Sequence, residues 1–373
     1  MTFSSDGRFD LGFLGGGQLA RMSIQAAQRM GLRCLSLDPG EVTPASQIAP
    51  SIVGSLDDPT AIRRLSDACD HLTLENEFIP ASALREAIDD PSRLIPGIDS
   101  LAAVQDKLLQ REAYHLAGVP SPRAVPLEKN PSRAIDEIGF PMVIKARFGG
   151  YDGKGTRYAK HAGELESHRE LWHEGGWLAE EFVPFRRELA VMVYLSPLGE
   201  GAFPTMETIQ TNHVCDLVFP SGVDASSVAI AAAHAMGGFG LFGVELFERE
   251  DGHFLVNEIA PRPHNTGHYT LDWGGISQFE MHVRIAMGLP PLEPKGHEVC
   301  MANLLGQEDA RDWRDGLAAA MSDPERSGAL VWQSRISAGT KNGAPEHNRR
   351  RRGRTSGHRA RKVLSRLALR ILG

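Results

Sequence analysis

The sequence has no apolar run approaching the ~18 residues that a membrane-spanning helix needs, and its start, MTFSSDGRFD, has no basic segment followed by an apolar stretch. We therefore expect a cytoplasmic protein without a membrane partner. Cysteine is scarce: Cys34, Cys69, Cys215 and Cys300 are far apart and form no CxxC pair. That spacing argues against a disulfide framework and against a structural zinc site.

The charge is distributed unevenly along the 373 residues. Residues 341–373 contain eleven of the 40 basic residues but only one of the 47 acidic residues, so an acidic body precedes a basic tail. Basic clusters neutralise nucleic-acid phosphates, but no aromatic residues are interleaved with this one. We expect a disordered tail and no nucleic-acid partner.

The N-terminal part reads as alternating strands and helices, which predicts a parallel sheet with helices on its faces. Leu11–Leu14 is followed by three glycines and by an amphipathic helix that ends at Gly31. The Gly15–Ala20 turn fits G-x-G-x-x-A, and Asp38 ends the next strand, so a dinucleotide site is one interpretation. A phosphorylated substrate on the same backbone amides is a second, and a turn that only permits close packing is a third.

From Pro141 the pattern changes to strands with glycine-rich loops. Lys145 follows the apolar run Met142–Ile144, where a lysine is costly unless it meets an anion. In the next loop, Phe148–Gly155, four glycines in seven residues let backbone amides wrap phosphate oxygens, and Lys154 adds positive charge. The alternative is a hairpin turn with an exposed lysine.

Gly243–Ile259 reads as two strands joined by Asp251-Gly252, a strong hairpin signal. With these two residues as the loop, Glu245 lies opposite Glu258. Two facing carboxylates repel each other unless they share a cation, and Mg²⁺ is typically held by one or two carboxylates plus substrate phosphates. Asn257 faces away in a regular strand, so it reaches the site only if the strand distorts there. The alternative is two solvated glutamates on an edge strand.

Two further segments concentrate polar groups. Ala260–His268 holds one Arg, one Asn and two His beside two prolines, which provides fixed donors for oxyanions and a titratable group. A zinc site from His264 and His268 lacks an evident third ligand. Glu180–Val183 ends a strand and precedes Glu188, so it offers backbone groups to an adenine edge and a carboxylate to a ribose; an exposed acidic turn is the alternative.

Together these motifs resemble the ATP-grasp superfamily and, within it, the N5-carboxyaminoimidazole ribonucleotide synthetases of purine biosynthesis. The resemblance covers about residues 10–305 and rests on GGGQLARM at 15–22, LTLENE at 72–77, VIKARFGGYDGKG at 143–155, EEFV at 180–183 and VNEIAPRPHNTGHYT at 256–270. It implies an α/β and α+β fold with four parts. These are a Rossmann-like parallel α/β domain (1–118), an ATP-grasp lid sub-domain (119–183), a second ATP-grasp sub-domain with the hairpin (184–300), and a C-terminal segment (301–373); the two sub-domains enclose ATP.

The resemblance also implies roles for individual residues. ATP is expected at Lys107, Lys145, Gly149, Gly150, Tyr151, Asp152, Gly153, Lys154, Gly155, Glu180, Glu181, Phe182, Val183, Glu188, Gln210, Asn257 and Glu258. At position 210 many relatives carry His. The ribonucleotide is expected at Gln18, Leu19, Glu75, Tyr151, Asp152, Arg262, His264 and Asn265, which makes the first glycine turn a substrate site. Mg²⁺, or Mn²⁺ in its place, is expected on Glu245 and Glu258.

The reaction implied is attack of bicarbonate on ATP to give carboxyphosphate, which delivers CO2 to the exocyclic amine of aminoimidazole ribonucleotide. Arg262, His264 and Asp152 are the expected catalytic residues, with Arg262 orienting bicarbonate and His264 assisting carboxyphosphate breakdown or moving a proton. The resemblance further implies a homodimer. The alternatives are another ATP-grasp ligase, such as a formate-dependent glycinamide ribonucleotide formyltransferase with a similar GVELF hairpin, and a nucleotide-binding regulatory protein without turnover.

The sequence departs from the family near its C-terminus. The family closes its substrate site with a segment resembling Y-G-K…R-G-R-K-M-G-H, whereas this chain reads VWQSRISAGTKNGAPEHNRRRRGR from Val331. Codons exist for which Trp332–Glu346, read one nucleotide earlier, encode Y-G-K-V-G-S-A-R-G-R-K-M-G-H-L. We therefore hypothesise that the segment from about residue 331 is translated out of frame.

Overall fold

The computed structural model describes residues 7–149, 155–211 and 214–305, together with residues 318, 322, 327–331 and 367–372. Three sheets organise these residues, and the boundaries predicted at 118, 183 and 300 remain predictions. None of the helices in these ranges has the length and apolarity needed to cross a membrane.

The first sheet is parallel, as the alternating pattern predicts. Its strands are β1 (Phe9–Leu14), β2 (Cys34–Asp38), β3 (Ser51–Val53) and β4 (Cys69–Leu74), in the order β3-β2-β1-β4. Its helices are α1 (Gln18–Arg29), α2 (Pro59–Ala68), α3 (Ala81–Ala87), α4 (Ile98–Gln105) and α5 (Lys107–Leu116), with short 3₁₀ turns at Ala45–Gln47 and Pro91–Arg93. Gly31 follows α1 with φ +83°, the left-handed conformation expected of a helix end.

The spacing of Leu101, Val104 and Leu108 predicts a single helix from about Asp99 to Gly118. This prediction is wrong, because the chain breaks between α4 and α5 at Asp106. The Asp106 carboxylate accepts from the Leu108 backbone N–H (3.0 Å) and so caps α5. It is held there by Arg147, whose Nε donates to it over 3.0 Å. The break brings Lys107 to the first turn of α5.

The second sheet is antiparallel and lies in the part of the chain expected to form the lid. It contains β5 (Ala124–Leu127), β6 (Met142–Ala146), β7 (Thr156–Ala159) and β8 (Trp177–Glu181), in the order β5-β8-β6-β7. The helices α6 (Ser132–Glu137), α7 (Ala162–Ser167) and α8 (Arg169–Trp172) accompany it. Trp172 and Leu165 are buried against its apolar face.

The third sheet is the largest of the three sheets that the described residues form. Its strands are β9 (Arg187–Ser196), β10 (Gly199–Ala202), β11 (Met206–Thr211), β12 (Val214–Pro220), β13 (Gly240–Glu248), β14 (Phe254–Ala260), β15 (Cys300–Leu305), β16 (Ser327–Val331) and β17 (Leu367–Leu372). They follow the order β14-β13-β9-β11-β12-β15-β17-β16, with β10 beside β9. The helices α9 (Ser226–Ala235) and α10 (Gln278–Ala286) and the 3₁₀ stretch Asn265–Leu271 complete this part.

Helix α10 joins the third sheet to the first domain. Val283 and Ala286 on α10 are buried with Leu11 and Phe13 of β1 in one apolar cluster. This packing places the loop from 261 to 277 next to the carboxyl ends of the parallel strands, where ligands bind in open α/β sheets.

Two strands lie in the C-terminal segment, whose expected disorder from about residue 331 stays a prediction. The strands β16 and β17 lie within the segment from 301 to 373, and β17 pairs in parallel with both β15 and β16. Residues 332–366 lie outside the described residues. The out-of-frame hypothesis therefore stays a prediction.

Candidate active site

A cleft of about 870 Å³ lies between the three sheets. Most of the residues expected to bind ATP, metal or ribonucleotide line it, although they come from distant parts of the sequence. They are Lys107, Lys145, Gly149, Glu180, Glu181, Phe182, Val183, Glu188, Gln210, Glu245, Asn257, Glu258, Arg262, His264 and Asn265. The expected residues Gly150, Tyr151, Asp152, Gly153 and Lys154 lie outside the described residues, and Gly155 does not line the cleft.

The expected hairpin is present, but its loop is longer than predicted. The backbone N–H of Arg249 donates to the His253 carbonyl (2.9 Å), so three residues form the loop, with Gly252 at φ +81°. A two-residue loop at Asp251-Gly252 is therefore wrong, and Leu246 pairs with Val256, one residue out of the predicted register.

A β-bulge at Asn257 restores the register. The pairing shifts between Glu245 and Leu246, so that Glu245 faces Glu258 as predicted. The extra residue is Asn257, and its side chain lines the cleft instead of facing away. The distortion that the sequence required for Asn257 to reach the site is thus present.

The facing carboxylates lie beside lysines. Lys107 Nζ is 2.8 Å from Glu258 Oε1. Burial alone raises the pKa of a carboxyl, but Lys107 and Lys145 outweigh it and lower the pKa of Glu258 to about 2. Glu258 is therefore ionised at neutral pH.

The pair suits Mg²⁺ better than zinc. Two facing carboxylates match the few protein oxygens that Mg²⁺ takes when substrate phosphates supply the rest. Zinc needs three or four protein ligands. Across the described ranges no three His, Cys, Asp or Glu side chains converge as a zinc site would require, and the His268 ring bonds the His264 carbonyl (2.7 Å).

Arg111 is a buried cation, bonded to the cleft residue Glu180, that the sequence analysis missed. It lies one helical turn after Lys107 on α5, and its Nε donates to Glu180 Oε2 (2.8 Å). The Glu180 side chain also meets Lys145, with 2.6 Å between Oε1 and Nζ. Glu180 was expected to offer backbone groups to an adenine edge, whereas here its carboxylate is buried between two cations. The i, i+4 spacing from Lys107 was the available signal.

Arg262 is paired with Glu77, a second residue that the analysis did not single out. The guanidinium meets the carboxylate through two bonds, Nε to Oε2 and Nη2 to Oε1, the latter at 2.8 Å. Burial raises the pKa of Glu77, but Arg262 outweighs it, and the net shift is downward. The pair holds the guanidinium at the cleft wall, with Nη1 turned to the Pro263 carbonyl (3.2 Å).

His264 is fixed by its neighbours more tightly than a loop residue usually is. The Gln278 amide accepts from the His264 backbone N–H and donates to the His264 carbonyl, both at 2.9 Å. The ring lies on Gly243 of β13, where an added Cβ would be 2.5 Å from His264 Cβ. Gly243 is therefore a glycine because the imidazole occupies the space of a side chain.

The environment of His264 also sets its protonation. Burial, then Arg262, lower the pKa of His264 to about 4, so the ring is neutral at pH 7. Nδ1 is 2.8 Å from Thr266 Oγ1 and 3.4 Å from the Thr266 backbone N, and the backbone N–H favours the tautomer in which Nδ1 accepts and Nε2 carries the proton. Nε2 is 3.8 Å from Glu245 Oε1. His264 therefore presents a hydrogen-bond donor to the cleft.

Aromatic rings line the other end of the cleft. Phe185 and Phe247 stack with centroids 4.6 Å apart and an interplanar angle of 9°. Tyr158 meets Phe182 edge-on at 6.4 Å. Stacked aromatic faces favour a planar base, and Glu181–Val183 supply backbone groups beside them.

The geometry of the first glycine turn fits the third of the three interpretations, a turn that permits close packing. The Glu75 carboxylate accepts from the backbone N–H groups of Gly17 (2.8 Å) and Ala20 (2.9 Å), so it occupies the amides at the start of α1. The Asp38 carboxylate accepts from the Gly16 backbone N–H (2.9 Å) and so stabilises the turn. A Cβ at Gly17 would collide with Glu75. Close packing explains the glycines, the dinucleotide interpretation gains no support, and Gln18, Leu19 and Glu75 do not line the cleft.

Comparisons with known proteins agree with this geometry. Residues 9–105 match the family model of the ribonucleotide synthetase preATP-grasp domain, and residues 112–279 match that of the ATP-grasp domain. The phosphoribosylaminoimidazole carboxylase of Ogataea methanolica is 37% identical over 80% of this chain, which spans 59% of that protein. The N5-carboxyaminoimidazole ribonucleotide synthase of Synechococcus elongatus is 39% identical over 80% of this chain and 79% of its own length.

Solved structures show the same likeness. The N5-carboxyaminoimidazole synthase of Aspergillus clavatus, in complex with ADP and 5-aminoimidazole ribonucleotide, superposes with a TM-score of 0.77 at 29% identity. The superposition covers 86% of this chain and 88% of that one.

Proposed function

The chain belongs to the N5-carboxyaminoimidazole ribonucleotide synthase family of ATP-grasp proteins, and from this we propose that it carboxylates 5-aminoimidazole ribonucleotide at the expense of ATP. The product is N5-carboxyaminoimidazole ribonucleotide, in purine biosynthesis. One observation supports this most: a single cleft combines the lysines, the facing carboxylates Glu245 and Glu258, and the loop with Arg262 and His264.

The first step joins bicarbonate to the γ-phosphoryl group. A bicarbonate oxygen attacks the γ-phosphorus, the bond to the β,γ-bridging oxygen breaks, and ADP leaves. Lys107 and Lys145 stabilise the negative charge on the transferred group in a partly buried site. Mg²⁺, or Mn²⁺ in its place, held by Glu245 and Glu258, would neutralise phosphate charge. Arg262, fixed by Glu77, orients bicarbonate.

The second step releases CO2 beside the amine. The carbon–oxygen bond of carboxyphosphate breaks to give CO2 and phosphate, and the exocyclic amine attacks CO2 and loses a proton. The neutral His264 donates from Nε2 to a phosphate oxygen and so stabilises the departing anion. Water must be excluded, since carboxyphosphate hydrolyses readily. We further expect a cytoplasmic homodimer, which sedimentation of the purified chain would test.

The glycinamide ribonucleotide formyltransferase and the regulatory protein are less well supported. A regulatory protein needs neither paired carboxylates nor a held Arg262 and His264. The formate-using ligase shares the hairpin, but GGYDGKG and HNTGH resemble the carboxylating family.

ADP release by the purified full chain tests the proposal. We would measure it with Mg-ATP, omitting aminoimidazole ribonucleotide or bicarbonate in turn, and repeat it with formate and glycinamide ribonucleotide. Release that requires both the ribonucleotide and bicarbonate supports the proposal. Release with the second pair contradicts it. A parallel chain with the predicted reading frame restored separates a wrong substrate from an altered tail.

A further inference from the structure

Four side chains from four separate elements form a closed hydrogen-bonded circuit beneath the cleft. Arg111 on α5 bonds Glu180 on β8, with Nη2 2.6 Å and Nε 2.8 Å from Oε2. Glu180 Oε1 is 2.6 Å from Lys145 Nζ on β6. Lys145 donates to Asn257 Oδ1 on β14 (3.2 Å), and Arg111 Nη2 donates to the Asn257 backbone carbonyl (2.7 Å). The circuit therefore connects α5, the lid sheet and the bulge of the third sheet.

The circuit is buried, so its charges need one another. The side chains of Arg111, Glu180 and Lys145 are 6%, 3% and 9% exposed. Burial raises the pKa of Glu180, but Arg111 and Lys145 outweigh it and shift the pKa downward, so the carboxylate is ionised. Two cations and one anion leave one net positive charge. Removing one partner of such a buried pair leaves the other poorly compensated.

The geometry divides the two cations between different tasks. Arg111 bonds one oxygen of Glu180 through two nitrogens, and its Nη2 also bonds the carbonyl of the bulged residue Asn257. Lys145 bonds the other oxygen and lines the cleft. Without Arg111, Lys145 alone would balance Glu180, and the pair would present no net charge to an anion.

We infer that Arg111 is a positioning residue for nucleotide binding. It balances the negative charge of Glu180, so that the positive charge of Lys145 is available to the phosphates, and it holds the Asn257 bulge in place. This inference rests on the proposed function only in taking ATP as the ligand of the cleft. We expect Arg111 to affect binding of the phosphates and not of the base, because the aromatic side chains that would stack on the base, Phe185 and Phe247, do not belong to the circuit.

Affinities of the full chain for ATP, ADP and adenosine, measured by calorimetry or competition, test the inference. Arg111→Gln removes the charge but keeps a donor, and we expect ATP and ADP to bind about tenfold to a hundredfold more weakly, as for loss of a charged hydrogen bond. Adenosine should bind within about twofold of its wild-type affinity. Arg111→Lys keeps the charge without the two-nitrogen grip, so its effect should be smaller.

The double variant Arg111→Gln/Glu180→Gln gives the sharpest arm. It removes the negative charge that would otherwise balance Lys145, so the circuit again carries one net positive charge. ATP affinity should therefore recover most of what Arg111→Gln loses. Arg133→Gln is the matched control, since Arg133 forms an exposed i,i+4 pair with Glu137 and should leave all three affinities unchanged. The double variant and Arg111→Lys carry the test if Arg111→Gln does not fold.

Three results would overturn the inference: an unchanged ATP affinity in Arg111→Gln, equal weakening of ATP and adenosine, or a double variant no better than the single one. Equal weakening would indicate that Arg111 only stabilises the packing of the elements that it connects. Absence of ATP binding by the wild-type chain is a different result, because it would contradict the proposed function itself.

Discussion

Gly243→Ala should slow turnover by displacing His264 while leaving nucleotide binding intact. The added Cβ would be 2.5 Å from His264 Cβ and 2.8 Å from Cγ, whereas ordinary contacts begin near 3.4 Å. One side must move by about 0.9 Å, the difference between 3.4 and 2.5 Å. Gly243 is paired on both sides, with Met192 and Ala260, so the strand resists displacement.

His264 is therefore the part that moves, and its backbone must shift with its ring, because rotation of the side chain does not displace Cβ. Gln278 holds that backbone through two hydrogen bonds, so the shift strains these bonds and displaces the ring with its Nε2 donor. A misplacement of about 1 Å costs roughly a hundredfold in rate, and overpacking costs about 1–3 kcal/mol of stability. We expect kcat for bicarbonate-dependent ADP release to fall between tenfold and a hundredfold, about as those costs imply, with the ATP dissociation constant within about twofold.

Steady-state kinetics with varied bicarbonate, together with ATP binding by calorimetry, would measure both quantities. Gly97→Ala is the matched control, because an added Cβ there meets nothing within 4 Å. A Gly243→Ala enzyme with wild-type kcat would refute the reasoning that His264 must lie on Gly243. A loss of ATP affinity as large as the loss of kcat would refute it as well, since that would indicate general damage to the cleft.

Two further substitutions probe the same site and its support. Glu77→Gln removes the charged partner of Arg262, so KM for bicarbonate should rise about tenfold while KM for ATP stays within twofold; the exposed Asp89→Asn is the control, and equal changes in both KM values would contradict the role. His282 has a pKa lowered to about 4 by burial. Its unfolded form binds a proton near pH 6.5, so the free energy of unfolding falls as pH drops below 6.5, by about 2 kcal/mol at pH 5 from this group. The free energy of unfolding of His282→Gln, measured by chemical denaturation at neutral pH and at pH 5, should depend less on pH than that of the wild-type chain. The same pH dependence in both proteins would disprove this contribution.

The sequence predicted elements whose signal is local. The parallel first sheet, the end of α1 at Gly31 and the position of Glu245 opposite Glu258 follow from periodicity, a glycine and a hairpin turn. The last prediction held although its loop was one residue too short, because the bulge at Asn257 compensates for the longer loop. Neither shift has a marker in the sequence that would fix it in advance.

The residues that escaped prediction act through long-range contacts. Arg111, Glu77 and Gln278 are single polar residues inside otherwise ordinary stretches, and each contacts a partner 14 to 185 positions away. Their roles depend on which elements the fold brings together, which no local pattern encodes. The break of the predicted helix at Asp106 also depends on a long-range contact, because Arg147, in the loop after β6, holds the carboxylate that caps α5.

Transfer of oxygen from bicarbonate to phosphate tests the central claim most directly. The full chain would be incubated with Mg-ATP, aminoimidazole ribonucleotide and ¹⁸O-labelled bicarbonate, and the phosphate released would be analysed by mass spectrometry. Carboxyphosphate formation predicts phosphate carrying one ¹⁸O atom for each ADP formed. ADP formed together with unlabelled phosphate would contradict the account, because ATP would then have been cleaved by water and not by bicarbonate.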